Sequence, residues 1–249
     1  MKKYTGVLAL AILGFTAQVQ ADTVFGLYAG ADFWPGKVVG GFANSEQIQD
    51  FALKDSSNTA YYLAIEHFVP VLPNIRIQHV ALETQGQTLL NTSFNFAGRS
   101  FAAGSTVQAR LDLTSTDYIL YYELLDNALL AVDLGVNAKH LKGDVSVINA
   151  NVRGSEHLNA WLPMLYLDSK IGIVPGEFDV FASGSAAHYN GNHLYDIQAG
   201  LGYQLLTNPL LNARVKLGYR LMDLRLDDVN NLYADLKFKG IFAGLEVHF

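Results

Sequence analysis

The chain has 249 residues, of which 50% are hydrophobic and only 16% are charged, whereas soluble domains carry about 25% charged residues. Its 17 Lys and Arg residues against 23 Asp and Glu residues give a formal net charge of −6. The chain therefore lacks the basic surface that nucleic-acid binding requires, and we expect no nucleic-acid partner. It has no cysteine, which excludes disulfide frameworks, thiolate metal sites, cysteine nucleophiles and the lipid-bearing cysteine of a lipoprotein.

The N-terminal segment has the pattern of a secretory signal peptide. Two lysines precede an apolar run that ends at Phe15, and the polar stretch after it ends at Ala21 with residues that suit signal peptidase. The apolar run is shorter than the roughly 20 residues that span a bilayer as a helix. We therefore predict that residues 1–21 are a cleaved signal peptide and that residues 22–249 form the exported domain.

Long stretches of the exported domain alternate apolar with polar residues. From Leu211 to Leu221, for example, every second residue is apolar, while Arg214 and Lys216 occupy the other face, and a period of two is typical of β-strands. These runs exceed the 5 or 6 residues of an ordinary strand, and they suffice for the roughly 9 to 11 residues that cross a bilayer at a tilt. Because a bilayer tolerates no open sheet edge, strands of this kind must close into a barrel.

Turn-forming residues give the expected strand count. Short connections rich in Pro, Asn, Asp and Gly alternate with longer polar stretches. We predict an all-β fold, a closed antiparallel up-and-down transmembrane β-barrel of ten strands, with eight as the alternative, short periplasmic turns and longer extracellular loops. The predicted turns lie near 70–74, 125–127, 174–177 and 207–209, the longer loops span 35–57, 87–105 and 142–157, and brief tips lie at 190–192 and 227–231.

The C-terminal strand carries a further signal. Its apolar residues alternate with polar or small ones, and the sequence ends on an aromatic residue. This pattern resembles the C-terminal signal of bacterial outer-membrane barrels, which the barrel insertion machinery recognises. The resemblance implies a location in the cell outer membrane, with the lipid bilayer, lipopolysaccharide and the insertion machinery as partners. The predicted insertion signal consists of Ile241, Ala243, Leu245, Val247 and Phe249.

Charged residues on the inward face of the strands are the candidate lumen-lining residues. A ten-stranded barrel has a narrow interior, since eight strands are filled by side chains and wide aqueous channels appear near 16. Two interpretations follow: opposite charges pair and plug the barrel, or they line a slim pathway for solutes. The candidates are Asp32, Glu66, Arg76, Asp117, Glu123, Asp133, Lys139, Asp196, Arg214, Lys216 and Arg220, joined on the same face by Asp168, Lys170 and Glu246.

Two other features concern the extracellular rim. Aromatic residues near the strand tops, among them Phe33, Trp34 and Tyr61, are expected to form an outer aromatic girdle at the membrane surface. The first loop combines glycines with Ile48 and Phe51. We consider three interpretations of it: a constriction folded over or into the barrel mouth, a receptor surface for a phage or a partner, and an ordinary surface loop.

Several short motifs resemble a known family. They are Asp32-Phe33-Trp34, the Gly40-Gly41 pair, 112–117 (Asp-Leu-Thr-Ser-Thr-Asp), 121–124 (Tyr-Tyr-Glu-Leu) before an Asp-Asn turn, and the terminal Phe249. Together they resemble an uncharacterised proteobacterial family of small outer-membrane barrels with a Gly-Gly motif. The general plan is also similar to OmpW-like small barrels, which are associated with passage of small hydrophobic molecules. The resemblance implies a location and no assigned activity.

Catalysis requires a nucleophile or carboxylate beside a histidine. The best such set is Ser185, His188, His193 and Asp196, and it matches neither the omptin nor the lipid-deacylase pattern. We therefore predict no enzyme, no catalytic residue, no metal and no cofactor. The expected function is a non-enzymatic outer-membrane barrel, either structural or a slender passive pathway for small solutes through a charged lumen. The alternatives are surface-loop binding or adhesion and, after that, a rim-located membrane enzyme acting on lipid or peptide.

Overall fold

The computed structural model describes residues 25–127, 129–174, 177–208 and 210–249. The predicted signal peptide and its cleavage site after Ala21 lie outside these residues. Among the described residues, no helix is long and apolar enough to cross a membrane.

The described chain is built from β-strands that run up and down in sequence order. Consecutive long strands pair in antiparallel fashion, as expected for alternating segments joined by short connections. The strands are β1 (Phe25–Ala43), β2 (Gln49–Asp50), β3 (Ser56–His67), β4 (Asn74–Leu89), β5 (Phe94–Phe96), β6 (Arg99–Phe101), β7 (Thr106–Asp126), β8 (Leu130–Ile148), β9 (Arg153–Val174), β10 (Phe178–Tyr189), β11 (Asn192–Asn208), β12 (Leu211–Val229) and β13 (Leu232–His248).

Ten of these strands close into a barrel. β1, β3, β4 and β7 to β13 form the wall, and β13 pairs with β1 from Tyr28 opposite His248 to Ala43 opposite Tyr233. The predicted closed, ten-stranded antiparallel barrel is confirmed, and the alternative of eight strands is wrong. We call the end with the short connections after β3, β7, β9 and β11 the turn end, and the opposite end the loop end.

Two of the predicted long loops are wrong in their bounds. β1 continues to Ala43, so the first loop does not begin at residue 35. Residues 142–157 belong mostly to β8 and β9, and only 149–152 connect them. The cause is a change in surroundings: near the loop end the outward face of these strands carries exposed polar residues such as Lys142 and Asp144, and this polarity resembles that of a loop.

The two halves of the barrel have opposite polarity. In the half nearer the turn end, the outer surface is an apolar belt with large exposed side chains, including Leu63, Leu165 and Leu217, and the interior is polar. In the half nearer the loop end the outer surface is polar, with Asp112 and Asp144 more than half exposed. The interior there is an apolar core.

This loop-end core includes side chains from the loops as well as the wall. The first loop pairs with β1 through β2 and places Phe51 at 0% exposure, with its ring centroid 4.6 Å from that of Phe42. The β5–β6 hairpin adds Phe96, 5.2 Å from Phe42. The Asn44 side chain fixes both loops, since it accepts a hydrogen bond of 2.6 Å from the Ala97 N–H. The first loop therefore folds into the barrel mouth, as the first of its three interpretations predicts.

The Gly40-Gly41 pair lies where two chain segments approach β1 very closely. Gly40 has a φ of +115°, and a Cβ there would lie 1.9 Å from the carbonyl oxygen of Asp235. A Cβ on Gly41 would lie 1.9 Å from the carbonyl oxygen of Gln49. Only glycine combines this backbone conformation with this approach. These two glycines therefore allow β1 to form strand pairings with both β13 and β2.

The expected position of Trp34 in the outer girdle is wrong. Phe33 and Tyr61 are exposed on the outer surface, at 53% and 59%, but Trp34 is 0% exposed inside the barrel. Successive side chains of a strand point to opposite faces, so adjacent residues cannot both join a girdle. The Arg220 guanidinium carbon lies 4.8 Å from the centroid of the Trp34 ring, which makes Trp34 part of the interior.

Candidate functional site: a polar cavity inside the barrel

All eleven candidate lumen-lining residues lie on the inner face of the barrel. They separate into two groups along its axis. Six form a buried charged layer at mid-height, between the loop-end core and the rest of the lumen: Asp32, Asp117, Lys139, Asp196, Lys216 and Arg220. The other five lie around a cavity that is nearer the turn end: Glu66, Arg76, Glu123, Asp133 and Arg214.

One network in the charged layer is centred on Lys139. Its Nζ lies 2.8 Å from Asp117 Oδ1 and 3.0 Å from Asp196 Oδ2, and it donates a hydrogen bond of 3.0 Å to Ser115. Arg220 donates two hydrogen bonds of 2.9 Å to the two oxygens of Asp196. Each charge in this network has an opposite charge within direct contact, as burial of charged groups requires.

A second ion pair in this layer connects β12 with β1, the two strands that flank β13. Lys216 Nζ lies 2.9 Å from Asp32 Oδ1, and both side chains are nearly fully buried. The pair needs Gly244 beside it, because a Cβ at that position would lie 1.8 Å from Asp32 Oδ1. A glycine on the inner face of the C-terminal strand thus makes room for the ion pair.

A third group connects the charged layer to the cavity. Arg214 forms a bidentate pair with Asp179 and places Nη1 3.1 Å from Glu246 Oε1. The hydroxyl of Tyr62 donates a hydrogen bond to the same Glu246 carboxylate. Asp179 was absent from the sequence-based candidates, although it alternates with the inward residues of β10.

The cavity near the turn end, which we call the turn-end cavity, has a volume of about 110 Å³. Four tyrosines and several charged side chains line it. Arg76 and Tyr166 also line a smaller cavity of about 30 Å³ on the side of the charged layer, so they mark the inner end of the larger one. The tyrosines, which sequence analysis missed, are Tyr28, Tyr62, Tyr121 and Tyr166. Their position on the same strand faces as the charged candidates is the signal that could have identified them.

The charged groups of the turn-end cavity are incompletely paired. Within the part of the chain that the structure describes, Glu123, Asp133 and Asp168 form no ion pair within 4 Å, and neither does Arg76. Glu123 lies opposite Asp133, and Asp133 lies opposite Asp168, so three carboxylates occupy one row across β7, β8 and β9. Like charges directly opposite each other destabilise a sheet.

Above the charged layer the interior is mainly apolar, with a few buried polar side chains such as Asn58 and Thr84 among the aromatic ones. Trp34, Phe42, Phe51 and Phe238 are all less than 2% exposed. Arg220 contacts Trp34 at the boundary between the two regions. The described interior thus changes from charged to mainly apolar along the barrel axis, so the charged lumen occupies only part of its length.

The set of residues considered for catalysis is divided by the barrel wall. Ser185 and Asp196 point inward and hydrogen bond to Asn137 and Lys139. His188 and His193 pair across the β10–β11 hairpin, and His193 contacts Asp223 on the outer side at 3.4 Å. Over the described ranges, no group of three or more His, Cys, Asp or Glu side chains is arranged to hold a metal ion.

Comparisons with known proteins identify no family and show only weak structural likeness. No protein-family model matches the chain, and no curated protein matches it. Among solved structures it is similar to the outer membrane protease OmpT from Escherichia coli, with 11% identity over 90% of this chain and 96% of that chain and a TM-score of 0.43.

Two further structures show a similar level of likeness. A Pseudomonas aeruginosa FadL homologue has 9% identity over 90% of each chain and a TM-score of 0.33. The transport unit of the autotransporter AIDA-I from Escherichia coli has 9% identity over 95% of this chain and 93% of that chain, with a TM-score of 0.41. Likeness of this size supports no inference about activity, and the fold rests on the strand pairing described above.

Proposed function

We propose that this protein is a non-enzymatic, structural barrel of the outer membrane whose lumen is closed at the loop end. The observation that carries the proposal is the reversal of polarity between the two halves of the barrel. An apolar outer surface around a polar interior is the arrangement of a membrane barrel. A polar outer surface around an apolar core is the arrangement of a soluble one.

The apolar belt supports the membrane location. Leu63, Leu165, Leu201 and Leu217 are each more than half exposed on its surface, and soluble monomers rarely expose a continuous apolar surface of this extent. A closed barrel also satisfies the requirement that backbone groups in hydrocarbon be paired internally. Aromatic side chains on the outer surface, including Trp161 at 57% exposure, suit a membrane interface.

The C-terminal strand fits the proposed route of insertion. Ile241, Leu245 and Phe249 are exposed on the outer surface, where the insertion machinery would contact them, and Ala243 and Val247 lie on the same face. With the loop end outside the cell, the polar half would meet lipopolysaccharide. Membership of the Gly-Gly family named from the sequence motifs remains a prediction.

The packing of the loop-end core favours a closed lumen rather than a slender pathway for solutes. Side chains from the wall, the first loop and the β5–β6 hairpin pack together there, and a polar solute crossing this region would lose its hydrogen bonds to water. The charged layer beneath is fully paired, so a passing ion would have to compete with contacts of about 3 Å.

Conductance in planar bilayers tests this proposal. We expect the refolded protein, inserted from detergent, to give no current steps, and we expect a variant with residues 92–103 replaced by a short Gly-Ser linker to conduct. Insertion would be checked by the altered gel migration of the unboiled barrel. Stable steps from the unmodified protein would refute the closed lumen and favour the passive pathway.

A second candidate function is binding through the loop end. The polar half stands beyond the apolar belt, and Asn44 holds its loops in place by donating a hydrogen bond to Glu156 and accepting one from the Ala97 N–H. Rigid loops bind a partner with little loss of conformational entropy. Binding of a partner at the cell surface would support this candidate if an antibody fragment against the loops blocked it.

A further inference from the structure

The turn-end cavity contains unpartnered donors at its inner end. The guanidinium of Arg76 stacks on Tyr62, with its central carbon 3.8 Å from the ring centroid. Its Nε is buried without a hydrogen-bond partner, and among the described residues its guanidinium makes one side-chain hydrogen bond, of 3.5 Å from Nη2 to Gln78. A buried cation in this state costs free energy unless a further group pairs with it.

Tyr166 is the second unpartnered donor. It is only 5% exposed, and within the described residues its hydroxyl makes no side-chain hydrogen bond, whereas Tyr62 and Tyr121 each bond to a glutamate. Tyr166 lines both the turn-end cavity and the smaller cavity next to it. Arg76 and Tyr166 together offer donors that a carboxylate on a ligand would accept.

Unpaired carboxylates lie nearer the opening of the same cavity. Glu123 and Asp133 are near the short turn between β7 and β8, at the opening of the barrel, and Asp168 lies opposite Asp133. No described cation is within 4 Å of Asp133 or Asp168. An ammonium group placed among them would remove the like-charge repulsion.

The size of the cavity limits the ligand. An apolar cavity of about 150 Å³ accommodates benzene, with its six heavy atoms, so in proportion a cavity of about 110 Å³ encloses about four or five. Its opening at the turn end leaves room for one more. Because the donors lie deeper in the cavity than the carboxylates, a symmetric ligand does not match both groups. A lone anion would face the carboxylate row, and a lone cation would leave Arg76 and Tyr166 without acceptors.

We propose that the turn-end cavity binds a small zwitterion of the α-amino acid class. The ligand carboxylate pairs with Arg76 and the Tyr166 hydroxyl, and its ammonium group pairs with Asp133 and the neighbouring carboxylates. The cavity opens at the turn end, so a ligand enters from the periplasmic side. This site goes beyond the proposed structural role and does not depend on whether the lumen conducts.

Three matched probes test the proposal on the refolded protein in a nonionic detergent. L-alanine carries both charged groups, propionate lacks the ammonium group and ethylamine lacks the carboxylate. Saturation-transfer NMR and titration calorimetry would measure their binding. We expect alanine to bind at least tenfold more tightly than either analogue, a difference of about 1.4 kcal/mol.

Variants locate the site. We expect Arg76→Gln, Tyr166→Phe and Asp133→Asn each to weaken alanine binding at least threefold, and Asp144→Asn on the outer surface to leave it unchanged. Tyr166→Phe removes a single unbonded hydroxyl, so it keeps the fold and leaves the test valid where a charge variant fails to refold. Absence of alanine binding at 50 mM would overturn the proposal. So would equal binding of ethylamine and alanine, since the site would then recognise cations alone.

Discussion

Replacing Lys139 tests whether the charged layer holds the barrel together. Lys139 is fully buried and contacts Asp117 and Asp196 at 2.8 and 3.0 Å. In the Lys139→Met variant the new side chain fills the same space without charge. Asp196 keeps both hydrogen bonds from Arg220, but Asp117 keeps only the side-chain amide of Asn137. One buried carboxylate is therefore left without a counter-charge.

The expected cost follows from this count of partners. Removing one member of a buried pair costs about 3 to 5 kcal/mol, chiefly because the other charge remains buried. We expect Lys139→Met to lower the free energy of unfolding by this amount. The double variant Lys139→Met/Asp117→Asn removes the orphaned charge as well, and it should recover at least half of the loss.

Equilibrium unfolding in urea measures this cost, with the barrel in lipid vesicles and tryptophan fluorescence as the probe. Lys142→Met is the matched control, because Lys142 lies on the same strand but is exposed on the outer surface, where substitutions change stability by about 0.5 kcal/mol or less. A loss below about 1 kcal/mol for Lys139→Met would refute the reasoning, since exposed pairs contribute that much.

Two further substitutions test the loop end by the same unfolding assay. Gly40→Ala should destabilise the barrel by several kcal/mol, because the new Cβ would clash with the Asp235 carbonyl. The control Gly104→Ala, at φ +78° with no atom within 4 Å, should cost only about 1 to 3 kcal/mol of backbone strain. Equal losses of stability for the two variants would argue against the close approach at Gly40. Phe51→Ala should lower the free energy of unfolding by about 3 to 5 kcal/mol through the cavity it leaves in the core. The control Leu89→Ala should cost little, because Leu89 is 59% exposed. A small loss of stability for Phe51→Ala would show that the first loop does not close the mouth.

The alternation of residues predicted most of the wall correctly. A period of two assigns each side chain to one face whatever surrounds the sheet, so Arg214, Lys216 and Glu246 were placed inside. The same rule, applied strictly, would have placed Trp34 inside as well. The prediction of a long loop over 142–157 is wrong because alternation does not tell which face of a strand meets lipid. Where β8 and β9 leave the apolar belt, polar residues move to the outside, and the sequence there has the composition of a loop.

The contacts of the site depend on barrel closure and could not be predicted. Lys139 on β8 contacts Asp196 on β11, although these strands are not neighbours in the sheet. The distance between them depends on the curvature of the wall, which sequence periodicity does not encode. The unpartnered state of Arg76 and Tyr166 is likewise a property of the assembled interior. The charge of Arg76 predicts its inward position, whereas a criterion based on charge alone does not select Tyr166.

In the proposed membrane location, the reversal of polarity determines how deeply the barrel lies in the bilayer. If the barrel sank inward, Lys142, Asp144 and their exposed neighbours would enter hydrocarbon, at a cost that rises to about 2 to 4 kcal/mol for a basic side chain at the midplane. If it moved outward, the leucines of the belt would enter water and lose about 25 cal/mol for each Å² exposed. Both displacements raise the free energy, so the boundary between the two surfaces determines the depth of the barrel in the bilayer. The loop end is thereby held at a constant height above the lipid.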